Sequence, residues 1–116
     1  MSARDALVPL RQMRDAARRA LEIARSLSRA DLRPDQVETL ALTRLLEVLG
    51  EAARRVPSTV RDENPTIPWR QITGTRDRLI HGYDRVDLDI LWTILQDQLP
   101  PLVEQLDAIV DRSEPC

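Results

Sequence analysis

Residues 88–112, "LDILWTILQDQLPPLVEQLDAIVDR", carry the periodicity that decides the fold. Apolar residues follow one another here at alternating steps of four and three: Leu88, Trp92, Leu95, Leu99, Leu102, Leu106 and Ile109. This spacing places them along one seam of an α-helix, as in the heptads of packed helices. Pro100 and Pro101 remove two backbone N–H donors but leave the phase of the seam unchanged. The stretch therefore predicts one helix over about 87–112, kinked at the proline pair, or two collinear halves.

Three earlier segments show helical periodicity as well. The first covers about residues 3–28 and the second about residues 34–56, each with an apolar stripe at steps of three and four. A third starts near Pro68 and carries "WRQITGTRDRLIHGY", with a bend or restart expected at Gly74 and a helix end at Gly82. A short turn through Glu63 should precede it. We expect the second helix to begin at Pro34, because proline suits a first helical turn.

These elements predict an all-α fold, since no segment alternates with period two as a half-buried strand would. The expected architecture is an antiparallel up-and-down bundle of four long helices plus a short connecting turn. A chain of 116 residues fits one domain, residues 1–116. Gly50 lies inside the second predicted helix, where it costs about 1 kcal/mol relative to alanine. Close approach of another helix would explain it, and chance is the alternative.

The composition excludes several classes of protein. All 17 basic residues are arginine and the net charge is -2, which argues against a generally basic nucleic-acid coat protein. The one cysteine is Cys116, so neither an intrachain disulfide nor a cysteine-based metal cluster is expected. No apolar run approaches the roughly 20 residues of a membrane span. The N-terminus lacks the apolar core of a signal peptide, which predicts a cytoplasmic protein.

Residues 75–87, "TRDRLIHGYDRVD", hold the only histidine, His81, and the only tyrosine, Tyr83. Arg76 is suited to bind a phosphodiester and to offset charge on its oxygens in the transition state. His81 can exchange a proton near neutral pH, and RNA supplies its own nucleophile, the 2′-hydroxyl. One histidine cannot easily be both acid and base, but two copies of the chain across a two-fold axis could divide these roles. Tyr83 could orient the phosphate or stack on a base.

The same stretch has other interpretations. If it were helical throughout, Arg76 and His81 would lie about 140° apart around the axis, while Asp77 could hydrogen-bond to His81. A lone histidine near a helix end is more often a cap or a satisfied polar group. The alternation of arginine with aspartate also fits a salt-bridged surface. No metal-ligand spacing is present, so no metal is expected.

"TRDRLIHGY" resembles the signature of the HEPN superfamily in the form R-x4-H-x-Y, given by Arg76, His81 and Tyr83. With "LEVLGEAARRVP", "IPWRQITGTRDRLIHGY" and "LWTILQDQLPPLVEQL" in order, the chain resembles the HepT branch over about residues 35–106. The resemblance implies a helical bundle and a metal-independent endoribonuclease without cofactor, whose homodimer forms one cleft. It assigns catalysis to Arg76 and His81, with Asp77 positioning them. Asp77 stands where many relatives have Asn, which predicts lower activity or a raised pKa of His81.

The resemblance also implies partners. HepT toxins are neutralised by MntA, a nucleotidyltransferase antitoxin that transfers AMP to the motif tyrosine, here Tyr83. Besides the catalytic pair, we expect Arg70, Arg78 and Arg85 to contact RNA, and Arg61 could extend that path by phosphate contact. Two alternatives remain: a catalytically inactive HEPN dimer that acts as a binding or regulatory module, and a purely structural helical dimer. The two tryptophans, Trp69 and Trp92, are expected in the core or an interface rather than as platforms for bases.

Overall fold

The computed structural model describes residues 3–81 and 85–114, and of residues 3–5 and 81 it describes the backbone alone. Its elements in chain order are α1 (Ala3–Ala24), a 3-10 turn (Arg29–Asp31), α2 (Val37–Arg55), α3 (Ser58–Glu63), α4 (Trp69–Thr73), α5 (Thr75–Leu79), β1 (Ile80–His81), β2 (Arg85–Val86), α6 (Leu88–Thr93), a π-helical segment (Ile94–Gln98) and α7 (Leu99–Ser113). The predicted all-α helical bundle is confirmed. The two described strands have two residues each and pair antiparallel.

The core lies where α1 packs against α2 and α7. The largest side chains with almost no exposed surface include Leu10 and Met13 of α1, Leu42 and Leu46 of α2, and Leu106 of α7. Their burial is the main favourable term in the stability of a helical bundle, since isolated helices of this length are marginal in water. Among the described residues, no helix combines the length and apolar character needed to cross a bilayer.

The last helical run is continuous from Leu88 to Ser113, through the proline pair. Ahead of the prolines the helix widens into the π-helical segment, in which the Leu99 N–H donates to the Ile94 carbonyl. Because Pro100 and Pro101 carry no N–H, they cannot supply the ordinary donors for this turn, and the wider turn accommodates their absence. From Leu95 to Ile109 the predicted seam is buried, and Leu88 and Trp92 are half-buried against the core. One helix with a local irregularity at the prolines is therefore what forms.

The first two helices are shorter than the periodicity predicts. The first ends at Ala24, and the chain then makes a turn in which the Asp31 carboxylate accepts hydrogen bonds from the Ser28 backbone N–H (2.7 Å) and hydroxyl (3.1 Å). The backbone donor, followed by the hydroxyl, holds the pKa of Asp31 below its ordinary value. The second helix begins at Val37 rather than Pro34, because a Gln36 N–H to Arg33 carbonyl bond closes a separate turn around the proline.

The third predicted segment is two short helices and a strand. Gly74 ends α4 and begins α5, so the expected restart is confirmed. The sequence predicted that the helix continues to Gly82, and this is wrong. Helix α5 stops at Leu79, and the backbone of Ile80 is already extended. The Leu79 carbonyl accepts from the Asp87 N–H at 2.7 Å, while Ile80 pairs with Val86 and His81 with Arg85. Gly82 itself lies outside the described residues.

Candidate active site at helix α5

Two buried residues fix the short helix α5 to the bundle. Thr75 and Leu79 lie inward, and the Thr75 hydroxyl donates to the Gln71 carbonyl at 3.1 Å. Between them, Arg76 and Asp77 are exposed. A helix of five residues has little stability of its own, so these inward contacts determine where Arg76 stands.

Helix α2 holds the end of α4 from which α5 continues. A Cβ added at Gly50 would lie 3.0 Å from the Ile72 carbonyl oxygen, so the backbone of α4 approaches α2 as closely as a glycine allows. The Arg54 guanidinium donates to the Thr73 carbonyl at 3.1 Å. Close approach, the first of the two explanations open for Gly50, is thus what the structure shows.

We expect Gly50→Ala to destabilise the protein although alanine is the better helix former. The substitution gains about 1 kcal/mol of helix propensity. The new methyl group, however, meets a backbone oxygen rather than a flexible side chain, and overpacking of this kind costs roughly 1–3 kcal/mol. Thermal unfolding should therefore show a melting temperature at or below that of the wild type. Arg19→Ala, at an exposed position of α1, is the control, and a clear rise in melting temperature for Gly50→Ala would contradict the close contact.

Arg76 borders a small pocket of about 60 Å³ between α2 and α5. Its other lining residues are Leu46, Glu47, Gly50, Glu51, Arg54 and Thr73. Among the described residues Arg76 makes no ion pair, whereas Glu47 faces Arg44 at 3.4 Å and Glu51 faces it at 4.0 Å. Arg76 thus stands beside two carboxylates and one further guanidinium, all supplied by α2. Among the side chains that the structure describes, no three of His, Cys, Asp or Glu lie close enough to hold a metal ion.

The acidic and basic residues of α2 at this pocket were not identified from sequence. Glu47, Glu51 and Arg54 lie more than 20 positions before Arg76, on a different helix. Their repeat at steps of three and four is a signal that they share one helix face, and the close contact at Gly50 is what brings that face to α5.

The backbone of His81 is held in the β1–β2 pair, opposite Arg85. Because the helix ends at Leu79, the helical angle of 140° between Arg76 and His81 does not apply. The helical contact expected between Asp77 and His81 does not apply for the same reason. The side chain of His81 and the whole of Tyr83 lie outside what the structure describes, so their predicted roles stay predictions.

The three arginines expected to contact RNA occupy two places. Arg70 and Arg78 border one shallow depression of about 620 Å³ together with Pro68, Trp69 and Gln71. The half-buried Arg78 donates to the Gln71 carbonyl (3.3 Å) and to the Gln98 side-chain oxygen (3.4 Å), so its guanidinium is partly engaged. Arg85 is exposed on β2, beside the backbone of His81. The fold therefore brings Arg70 and Arg78 together and places Arg85 opposite the backbone of His81.

An all-α bundle that presents Arg76 on a short helix, with His81 in the short strand that follows, has the arrangement of a HEPN-type domain. The family model "Ribonuclease HepT-like" matches residues 13–109, and the chain belongs to this HepT-like family.

Curated proteins with related sequences carry ribonuclease names. "Putative RNase TTE0752" of Caldanaerobacter subterraneus subsp. tengcongensis is 34% identical over 94 residues, covering 81% of this chain and 84% of that protein. "Probable ribonuclease HepT" of Thermococcus cleftensis is 36% identical over 81 residues, covering 70% and 74%. "Putative RNase MJ1380" of Methanocaldococcus jannaschii is 28% identical over 109 residues, covering 94% and 100%. No solved structure matches the chain.

Proposed function

We propose that this chain is a metal-independent endoribonuclease and the toxin of a toxin–antitoxin pair, active as a homodimer in the cytoplasm. The observation that carries the proposal is the exposed Arg76, which makes no ion pair among the described residues and is fixed by the packing of α2 against α4. A guanidinium so placed is available to a phosphodiester. Membership of the HepT-like family and the names of its relatives support RNA as the substrate.

The proposed reaction is an internal transfer within RNA. His81 of one copy removes the proton of the 2′-hydroxyl, and the 2′-oxygen forms a bond to phosphorus. The bond from phosphorus to the 5′-oxygen breaks, and His81 of the second copy gives a proton to that leaving oxygen. The products are a 2′,3′-cyclic phosphate and a 5′-hydroxyl. Arg76 stabilises the charge that grows on the non-bridging oxygens, and Asp77 positions the pair.

Neutralisation in this proposal acts on Tyr83, two residues after the histidine. A nucleotidyltransferase antitoxin transfers AMP from ATP to the tyrosine hydroxyl, and pyrophosphate leaves. Each AMP adds bulk and one phosphodiester negative charge to the cleft. That charge competes with RNA for Arg76 and repels the RNA backbone.

A second candidate function has an observation of its own. Glu47 and Glu51 border the pocket of Arg76, and their carboxylates compete with a phosphodiester for its guanidinium. An inactive dimer that serves as a binding module would tolerate these carboxylates beside Arg76. This second function predicts that the protein does not cleave RNA, whether or not it binds RNA.

Incubation with total RNA in excess EDTA, beside the His81→Ala variant, tests the proposal. Cleavage by the wild type alone is expected, because His81 carries the proton and no metal takes part. The ends of the fragments should be 2′,3′-cyclic phosphate and 5′-hydroxyl. Equal cleavage by both proteins would show that His81 takes no part in the reaction. Absence of cleavage by unmodified wild-type protein, its mass verified, would favour the binding module.

A further inference from the structure

A groove between α3 and α4 shares Thr73 with the pocket of Arg76. It encloses about 570 Å³, within the range of roughly 300–1,000 Å³ that is typical of small-molecule sites. Its lining residues are Ser58, Arg61, Asp62, Pro65, Trp69, Arg70 and Thr73. The groove lies outside the small pocket of Arg76 and takes no part in the proposed bond-making and bond-breaking steps.

The charges of the groove favour a single anionic group. Arg61 and Arg70 supply two guanidinium groups, against one carboxylate from Asp62. None of the three makes an ion pair among the described residues. No described partner offsets the two guanidinium groups, so they can bind an anion in the groove. The excess of one positive charge matches one phosphodiester.

Trp69 gives the groove a fixed aromatic wall. The sequence favoured a core or interface position for Trp69 over a platform for bases. Its ring does pack against the core, but the residue also lines the groove, and its Nε1 donates to the Asn64 carbonyl at 3.0 Å. The Asn64 side chain is itself held, since it accepts from Arg112 at 3.1 Å and donates to the Val60 carbonyl at 2.8 Å. Trp69 also borders the depression that contains Arg78. An indole held in this way offers a surface for a base at little cost in conformational entropy.

Shared residues join the groove to both neighbouring surfaces. Thr73 lines the groove and the pocket of Arg76. Trp69 and Arg70 line the groove and the depression beside Arg78. These shared residues place the groove next to both the pocket of Arg76 and the depression beside Arg78.

We propose that this groove binds one nucleotide of single-stranded RNA next to the scissile bond. Arg61 and Arg70 hold its phosphodiester, and its base lies against Trp69. Asp62 makes the groove unsuited to a more highly charged ligand such as a free nucleoside triphosphate. The proposal rests on the ribonuclease function and adds to it a subsite that determines affinity rather than chemistry.

Binding of a single-stranded 2′-O-methyl oligoribonucleotide, measured by fluorescence anisotropy in EDTA across a salt series, tests the groove. This probe lacks the attacking hydroxyl, so the intact dimer is used without a catalytic mutation. Arg61→Gln and Arg70→Gln should each weaken binding about tenfold, as loss of a charged contact does. Each should also lower the slope of log affinity against log salt by about 0.7, the value for one phosphate contact of a single strand. A change that is merely structural would not alter this slope.

The controls separate this proposal from the ribonuclease function. Arg19→Gln, exposed on α1, should match the wild type in affinity and slope. In a Trp92→Phe background, emission from Trp69 should change as the oligonucleotide saturates the protein. Arg70 is exposed, so Arg70→Gln carries the test if Arg61→Gln lowers the melting temperature.

Two results would overturn the subsite. Wild-type affinity and slope for both groove variants, in a protein that cleaves RNA, would leave the ribonuclease standing and remove the groove from the RNA path. Unchanged Trp69 emission at saturation would show that no base contacts this tryptophan. If the wild type neither binds nor cleaves RNA, the function and the subsite fall together.

Discussion

Replacing Arg76 with Gln is expected to lower kcat for RNA cleavage about 100- to 1,000-fold and to leave the melting temperature unchanged. The chemical loss follows from the proposed reaction, in which Arg76 stabilises the negative charge that develops on the phosphorane oxygens. The unchanged stability follows from the structure, in which Arg76 is exposed and forms no ion pair among the described residues. Single-turnover cleavage of a labelled RNA and thermal unfolding measure the two effects separately.

Two further variants complete this experiment: Arg76→Lys conserves the charge, and Arg19→Gln is the surface-charge control. The lysine keeps the charge but loses the planar fork that matches two phosphate oxygens, so its activity should fall between the wild type and Arg76→Gln. Arg19→Gln removes one exposed positive charge from α1, away from α5, and should retain full activity. Cleavage by Arg76→Gln at the wild-type rate would take Arg76 out of the reaction. A large fall in melting temperature would show that the arginine supports the fold instead.

The long helices were predictable from the sequence, because apolar residues recur along one helix face over many turns. The apolar seam from Leu88 to Ile109 predicted the last helical run, because a repeat of threes and fours over 22 residues fits only a helix. The same logic identified α1 and α2, with errors of a few residues at their ends. Those ends are determined by local hydrogen bonds, such as the Ser28–Asp31 pair, that periodicity does not contain.

The short elements around the site were less predictable because tertiary contacts define them. Nothing in "TRDRLIHGY" separates a helix that ends at Leu79 from one that ends at Gly82. The hydrogen bond from the Asp87 N–H to the Leu79 carbonyl and the strand pairing decide this, and both involve residues further along the chain. The motif predicted Arg76 as a catalytic residue, but only the packing at Gly50 shows which carboxylates lie beside it.

Leu79→Ala is expected to cause a large loss of stability. Leu79 is 0% exposed and is the largest inward side chain of α5, so its truncation should cost about 2–5 kcal/mol and lower the melting temperature by several degrees or more. Leu40→Ala is the matched control, because Leu40 is 57% exposed on α2 and the same truncation there should cost under about 0.5 kcal/mol.

The effect of Leu79→Ala on RNA cleavage shows whether Leu79 positions α5 or contributes to stability alone. If Leu79 positions α5, RNA cleavage at a temperature where the variant remains folded should fall at least tenfold, since a shift of about 1 Å in a catalytic group is costly. KM should change less than kcat, because the groove proposed to bind a nucleotide through Arg61 and Arg70 lies on α3 and α4 rather than on α5. Far-ultraviolet circular dichroism confirms the folded state at the assay temperature. Wild-type cleavage by the folded variant would show that the strand pair and Thr75 suffice to hold Arg76, and that Leu79 contributes to stability alone.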